Sequence, residues 1–139
     1  ALKTSVKSSQ KILIAEDDFD DSEVISESFQ KHPLFSKVQI VKNGKELLDY
    51  LKNEKNPRPD LILTDLNMPV INGLEVLKEI CNDPELKKIT TFAYSTATSA
   101  IYKAKCIDLG AKAFLTKPAE ISAFDEIPQQ IIKIAFNNL

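Results

Sequence analysis

Five short runs of apolar and β-branched residues, separated by amphipathic stretches, constrain this chain more than any other feature: 11–15 (KILIA), 37–41 (KVQIV), 60–64 (DLILT), 89–95 (ITTFAYS) and 112–116 (KAFLT). Each has the length and composition of a strand. The segments between them carry helical spacing, as in Val24, Ile25 and Phe29, then Leu47, Leu48 and Leu51, then Leu74, Leu77 and Ile80. A fourth set, Ile101, Ala104, Ile107 and Ala111, predicts one more buried helix face. Strand and helix thus alternate five times, which predicts an α/β fold: a doubly wound, five-stranded parallel sheet with helices on both faces, joined by right-handed crossovers. The runs ILIA and LILT lack polar alternation, as expected of central strands buried on both sides. Pro128 would break a helix interior, so it is expected to open the last helix after a short turn around 122–126.

The 139 residues suit one core, expected over 11–139 and preceded by a flexible polar arm, 1–10. A formal charge of −2 provides no basic stripe for neutralising nucleic-acid phosphates. No apolar run approaches the roughly 20 residues that span a bilayer, and the opening ALKTSVKSSQ lacks the apolar stretch of a secretion signal. Cys81 and Cys106 form no CxxC pair, so they read as free thiols in a reducing, cytoplasmic setting. With three glycines and neither GxGxxG nor GxxxxGK[ST], a nucleotide-binding fold is disfavoured. The one histidine, His32, precedes Pro33 and reads as a surface turn, so the chain is not expected to originate phosphate from a histidine.

In an open α/β sheet, ligands bind outside the carboxyl ends of the strands. The first candidate strand runs into Glu16, Asp17 and Asp18, and the third into Thr64 and Asp65, followed by Leu66, Asn67, Met68 and Pro69. Carboxylates crowded at a sheet edge repel unless a cation compensates them. Mg²⁺ suits such a site, because it is hard, takes oxygen ligands and shares them with phosphate. The fourth strand delivers the hydroxyl of Ser95, with Thr96 or Thr98 as substitutes if the strand end lies further on, and the fifth delivers Lys117. A carboxylate that attacks a phosphoryl donor needs positioning and charge neutralisation, and this set supplies both. Asp65 is the expected nucleophile and Asp17 a direct metal ligand. Glu16 is expected behind the direct ligands or bridged to the ion through water, and the Asn67 carbonyl is a further oxygen. Ser95 and Lys117 would hold the phosphoryl oxygens, and a cis Lys117–Pro118 bond is one way to aim the ammonium. Asp18, Asp20 and Asp21 read instead as helix-capping acids.

An acidic pair after strand one, Asp-x-Asn-Met-Pro-x-x-x-Gly from Asp65 to Gly73, a hydroxyl after strand four and Lys117-Pro118 after strand five resemble the receiver domain of two-component response regulators. The resemblance runs from Lys11 to about Phe136. It implies the flavodoxin-like strand order 2-1-3-4-5, and the stretches NEKNPRPDLIL and NDPELKKI are similar to stand-alone receivers of phytochrome-type or other sensor kinases. It also implies a sensor histidine kinase or histidine phosphotransfer protein as donor, a downstream protein as reader, and a monomer or weak dimer. On that pattern Phe114 stands where many relatives place a switching Tyr, and Ala97 stands where a side chain can hold a hydrolytic water. The implied switch is therefore either muted or run on packing alone, and with Asn67 as the residue left to hold that water the implied self-dephosphorylation is slow to intermediate.

Two other readings compete. Haloacid-dehalogenase-type phosphatases also use Mg²⁺ and an aspartyl phosphate, but they carry the motif after the first strand with a second Asp where this chain has Asn67. An unphosphorylated docking scaffold would not need the full set of acidic pair, acceptor, hydroxyl and lysine. The expected role is therefore a phosphoacceptor and not a turnover enzyme.

Overall fold

Burial on both faces explains why the third strand has no polar alternation: from Leu61 to Asp65 every residue is buried. The computed structural model describes residues 9–96 and 100–136. Its elements are β1 (Gln10–Ala15), α1 (Phe19–Lys31), β2 (Phe35–Val41), α2 (Gly44–Lys52), β3 (Leu61–Asp65), α3 (Gly73–Cys81), β4 (Thr90–Ser95), α4 (Ala100–Asp108), β5 (Ala113–Thr116) and α5 (Glu126–Ala135). Short 3-10 turns lie at Leu86–Lys88 and Ile121–Asp125. All pairings are parallel and the sheet order is β2-β1-β3-β4-β5, so the expected architecture and strand order both form. The strand ends differ from the expected ones by one or two residues, β1 starting at Gln10. Residues 1–8 of the expected arm, together with Ala97 and Thr98, lie outside the described residues.

Strand alternation divides the core. Ile12, Ile14, Leu63, Phe92 and Tyr94 face α1 and α5, where Ile25, Phe29, Ile127 and Ile131 meet them. Leu13, Ala15 and Ile62 face the opposite way, toward Leu47 of α2 and Val76 and Ile80 of α3. Asp18, Asn43 and Asn72 cap α1, α2 and α3 by accepting from the amides of Asp21, Glu46 and Glu75 at 2.8, 2.8 and 3.0 Å. Pro128 sits in the first turn of α5, where no intrahelical amide donor is needed, and the turn before it is the expected one.

Three local expectations are corrected. Helix α4 turns a different face inward: Ile101 and Ile107 are 71% and 49% exposed and Ala104 is exposed, whereas Cys106 is fully buried beside Leu66, Leu77, Ala93 and Ala111. Within α4 the inward position is taken by Cys106 and not by the isoleucines, so the apolar spacing there marks mainly the outer face. The cis option at Lys117–Pro118 is not taken, since no cis peptide occurs among the described residues. His32 is more than surface: half-buried after α1, it accepts from the Leu34 amide at 3.2 Å and meets the Phe35 ring edge-on. Both cysteines are free.

Candidate functional site

The carboxyl ends of β1, β3, β4 and β5 bring the chemistry together. Because β3 pairs with β1 through Ala15↔Thr64 and with β4 through Asp65↔Tyr94, the residues just past each strand lie at one level. Glu16, Asp17 and Asp65 each offer a carboxylate oxygen, and these oxygens lie within 4.8 Å of one another. Glu16 and Asp65 are buried and Asp17 is exposed, so the cluster opens to solvent on one side only. Hard oxygen donors with an exposed edge fit a divalent cation that keeps part of its water shell.

On the enclosed side stands Lys117. Its side chain is only 9% exposed, and its ammonium lies 2.9 Å from Glu16 Oε1, 3.1 Å from Asp21 Oδ2 and 3.1 Å from Asp65 Oδ2. Burial alone would lower the lysine pKa, but the hydrogen bond to Glu16 and the charges of Asp65 and Glu16 reverse that and leave it raised, so the ammonium stays charged. Glu16 is pushed up from its ordinary value, chiefly by burial; a hydrogen bond from Tyr94 pulls it back, and the Asp65 charge raises it again.

The loop after β3 shapes the other face of Asp65. The Asn67 amide donates to Asp65 Oδ1 at 3.1 Å, and the Asn67 side-chain amide donates to Ser95 Oγ at 3.1 Å. Further along, the Ile71 amide donates to the Pro69 carbonyl at 2.8 Å, a three-residue turn that forces Val70 to a φ of 71°. A β-branched residue is strained there. Gly73 then donates to the Leu66 carbonyl at 3.0 Å and closes the loop onto α3. Asp17 and Asn67 open onto a cleft of about 370 Å³ that is also lined by Met68, Pro69 and Tyr102.

All the residues expected from the sequence therefore meet: Glu16, Asp17, Asp65, Asn67, Ser95 and Lys117. Over residues 12–129 the sequence matches the response regulator receiver domain. The chain belongs to this receiver family. Over 124 residues the receiver is 31% identical to response regulator Rcp1 of Synechocystis sp., covering 86% of this chain and 84% of Rcp1. The Mn²⁺-bound form of Rcp1 superposes with a TM-score of 0.81 at 28% identity, over 94% of this chain and 96% of that one. The phosphorylated cyanobacterial phytochrome response regulator RcpA gives a TM-score of 0.85 at 33% identity, with the same coverage. No helix among the described residues is long and apolar enough to cross a membrane.

Two residues of this receiver's site carry no mark in the sequence. Asp21 reads in the sequence as a helix-capping acid, yet its carboxylate pairs with Lys117. Nothing in the sequence separates it from a capping acid, since Asp17 lies before the N-cap Asp18 and not on the helix. Tyr94 lies within the apolar run of β4, with nothing in the sequence to mark it. It is fully buried, but its hydroxyl donates to Glu16 Oε1 and its ring lies 5.0 Å below the Lys117 ammonium. On β5, Phe114 is half-buried with the Lys103 ammonium 5.6 Å from its ring.

Proposed function

We propose that this receiver accepts a phosphoryl group on Asp65 from a phosphohistidine of a sensor histidine kinase or histidine phosphotransfer protein, in a Mg²⁺-dependent reaction, and signals by presenting an altered surface to a downstream protein. The observation that carries this reading is the two-sided environment of Asp65. On one side Lys117 lies 3.1 Å from its Oδ2, and on the other Glu16 and Asp17 complete an oxygen cluster within 4.8 Å. Asp17, Asp65 and the Asn67 carbonyl would hold the cation directly, while Glu16, whose oxygens already accept from Lys117, Tyr94 and the Asp18 amide, would act through water. A divalent cation there supplies positive charge against the phosphoryl oxygens.

One Asp65 oxygen attacks phosphorus; the bond from phosphorus to the histidine ring nitrogen breaks with its electron pair going to that nitrogen, and the ring leaves neutral after taking a proton from solvent. Lys117 stays charged and meets the oxygens of the arriving group, and Ser95 offers a hydroxyl to them. The open cleft beside Asp17 and Asn67 gives the donor access. No second aspartate stands two residues past Asp65, where a phosphatase would place its acid, so the acyl phosphate is a signal and not an intermediate of turnover. A cytoplasmic monomer or weak dimer that binds no nucleic acid completes the reading.

Incubation with acetyl phosphate and Mg²⁺ tests it. A stoichiometric phosphoryl gain that a chelator abolishes is the expected result. Repeated turnover of an unrelated phosphate ester would point to a phosphatase, and no gain at all to a docking scaffold.

A further inference from the structure

Lys117 has three N–H donors, and three carboxylates share them: Glu16 at 2.9 Å, Asp21 at 3.1 Å and Asp65 at 3.1 Å. How strongly the ammonium leans toward Asp65 depends on how strongly the others pull. Glu16 is the closest competitor, fully buried, and so should pull hardest. Its Oε2 accepts from the Asp18 amide at 3.1 Å, and its Oε1 accepts from two donors at once, the Lys117 ammonium and the Tyr94 hydroxyl.

We propose that Tyr94 is a positioning residue of the phosphoacceptor site, whose hydroxyl occupies part of Glu16 Oε1 so that Lys117 remains shared with Asp65. This rests on the reading of Asp65 as acceptor. The geometry is concentrated in this one side chain. Its backbone is the ladder partner of Asp65, and its carbonyl accepts from the Leu66 amide at 3.2 Å. Its ring underlies the ammonium, a cation–π contact that limits how far Lys117 can sink. Its hydroxyl reaches across β1's end to Glu16.

A plain core residue at this position would need only the ring. Phe92, two residues earlier on the same face of β4, is such a residue, buried with no polar atom to satisfy. A buried phenol, by contrast, needs a hydrogen-bond partner, and the partner found is a carboxylate of the site itself. Removing the hydroxyl leaves Glu16 Oε1 with the ammonium alone, and an undivided charge-assisted bond is the stronger one. Lys117 then shifts toward Glu16 and loosens from Asp65.

Tyr94→Phe tests this without removing the ring, and Tyr50→Phe, which lies far from these residues, serves as control. The first readout needs neither cation nor phosphoryl group. In ¹³C-lysine-labelled, metal-free protein, the Lys117 signal, assigned with Lys117→Met, should respond to Asp65→Asn in the parent and respond clearly less in Tyr94→Phe. An equal response in both backgrounds would overturn the proposal. The second readout is phosphoryl uptake from acetyl phosphate. At saturating Mg²⁺ the rate should fall by about fivefold or more in Tyr94→Phe, while the Mg²⁺ concentration for half-saturation stays within about twofold. An unchanged rate in a variant with a native-like amide spectrum contradicts the proposal, because a purely structural tyrosine would move stability alone. If the parent protein itself takes up no phosphoryl group, the acceptor reading fails, and the lysine signal alone decides whether Tyr94 positions Lys117.

Discussion

Gly73 packs so closely under Asp65 that a Cβ on it would lie 2.5 Å from the Asp65 carbonyl oxygen and 2.6 Å from the Leu66 Cα. Both neighbours are backbone atoms, which cannot swing aside as a flexible side chain would. The glycine at the end of the Asp-x-Asn-Met-Pro-x-x-x-Gly stretch is therefore there for space, and its φ is not in the left-handed region.

Gly73→Ala should accordingly lower stability by about 2 kcal/mol, the usual range for overpacking, and slow phosphoryl uptake by displacing Asp65. Urea unfolding followed by circular dichroism measures the first effect and intact-mass kinetics the second. Unaltered values for both would mean that the loop relaxes freely.

Removing the ammonium leaves Glu16, Asp21 and Asp65 facing one another without compensation. Lys117→Met should cost about 3 kcal/mol in metal-free buffer, as expected when one partner of a buried ion pair is deleted, and should take up little or no phosphoryl group. Saturating Mg²⁺ should recover part of that stability, because a cation restores positive charge to the same cluster. Urea midpoints with chelator and with Mg²⁺ provide the comparison.

The receiver's expected site was legible in the sequence because its residues are tied to strand ends, and strand ends are marked by where an apolar run stops. Asp65 follows LILT, Ser95 ends ITTFAYS, and Lys117 precedes Pro118. Parallel pairing then sets all of them at one level, so an error of one residue in a strand boundary moved no side chain out of reach. What sequence could not supply was set by tertiary approach. Asp21 is indistinguishable from a capping acid until α1 is docked on the sheet, and the Tyr94 hydroxyl has no visible purpose until β1 and β4 place Glu16 above it. The inward face of α4 is hidden for a similar reason: apolar spacing marks Ile101 and Ile107, whereas the side chain packed among Leu66, Leu77, Ala93 and Ala111 is Cys106.

A divalent cation should stabilise the fold through Asp17. At a hundredfold excess over its dissociation constant, Mg²⁺ should add about 2.7 kcal/mol, and Asp17→Asn should remove most of that gain while leaving metal-free stability nearly unchanged, since Asp17 is exposed. Thermal melts with and without Mg²⁺ test both halves. An undiminished Mg²⁺ effect in Asp17→Asn would move the ligand set elsewhere.

The link between α1 and the turn before α5 should show its own pH dependence. Ser28, buried on α1, donates to Asp125 at 2.7 Å, and Lys31 pairs with the same carboxylate at 3.0 Å. Ser28 first, then Lys31, hold the Asp125 carboxyl below its ordinary 3.8. A depressed carboxylate contributes stability that is fully present above the unfolded value and is lost as pH falls through the folded one. Ser28→Ala should thus lower the urea midpoint at neutral pH, with the gap to the parent narrowing as pH drops below 3.8. A gap that stays constant into acid would assign the loss to packing.

A carboxylate oxygen of Asp65 is the destination of the phosphoryl group in this receiver's proposed reaction. After incubation with acetyl phosphate and Mg²⁺, peptide mapping of the intact protein should place a single phosphoryl group on the peptide containing Asp65, and Asp65→Asn should gain none under the same conditions. A phosphoryl group that survives Asp65→Asn, or one that maps to another residue in the parent protein, would contradict it.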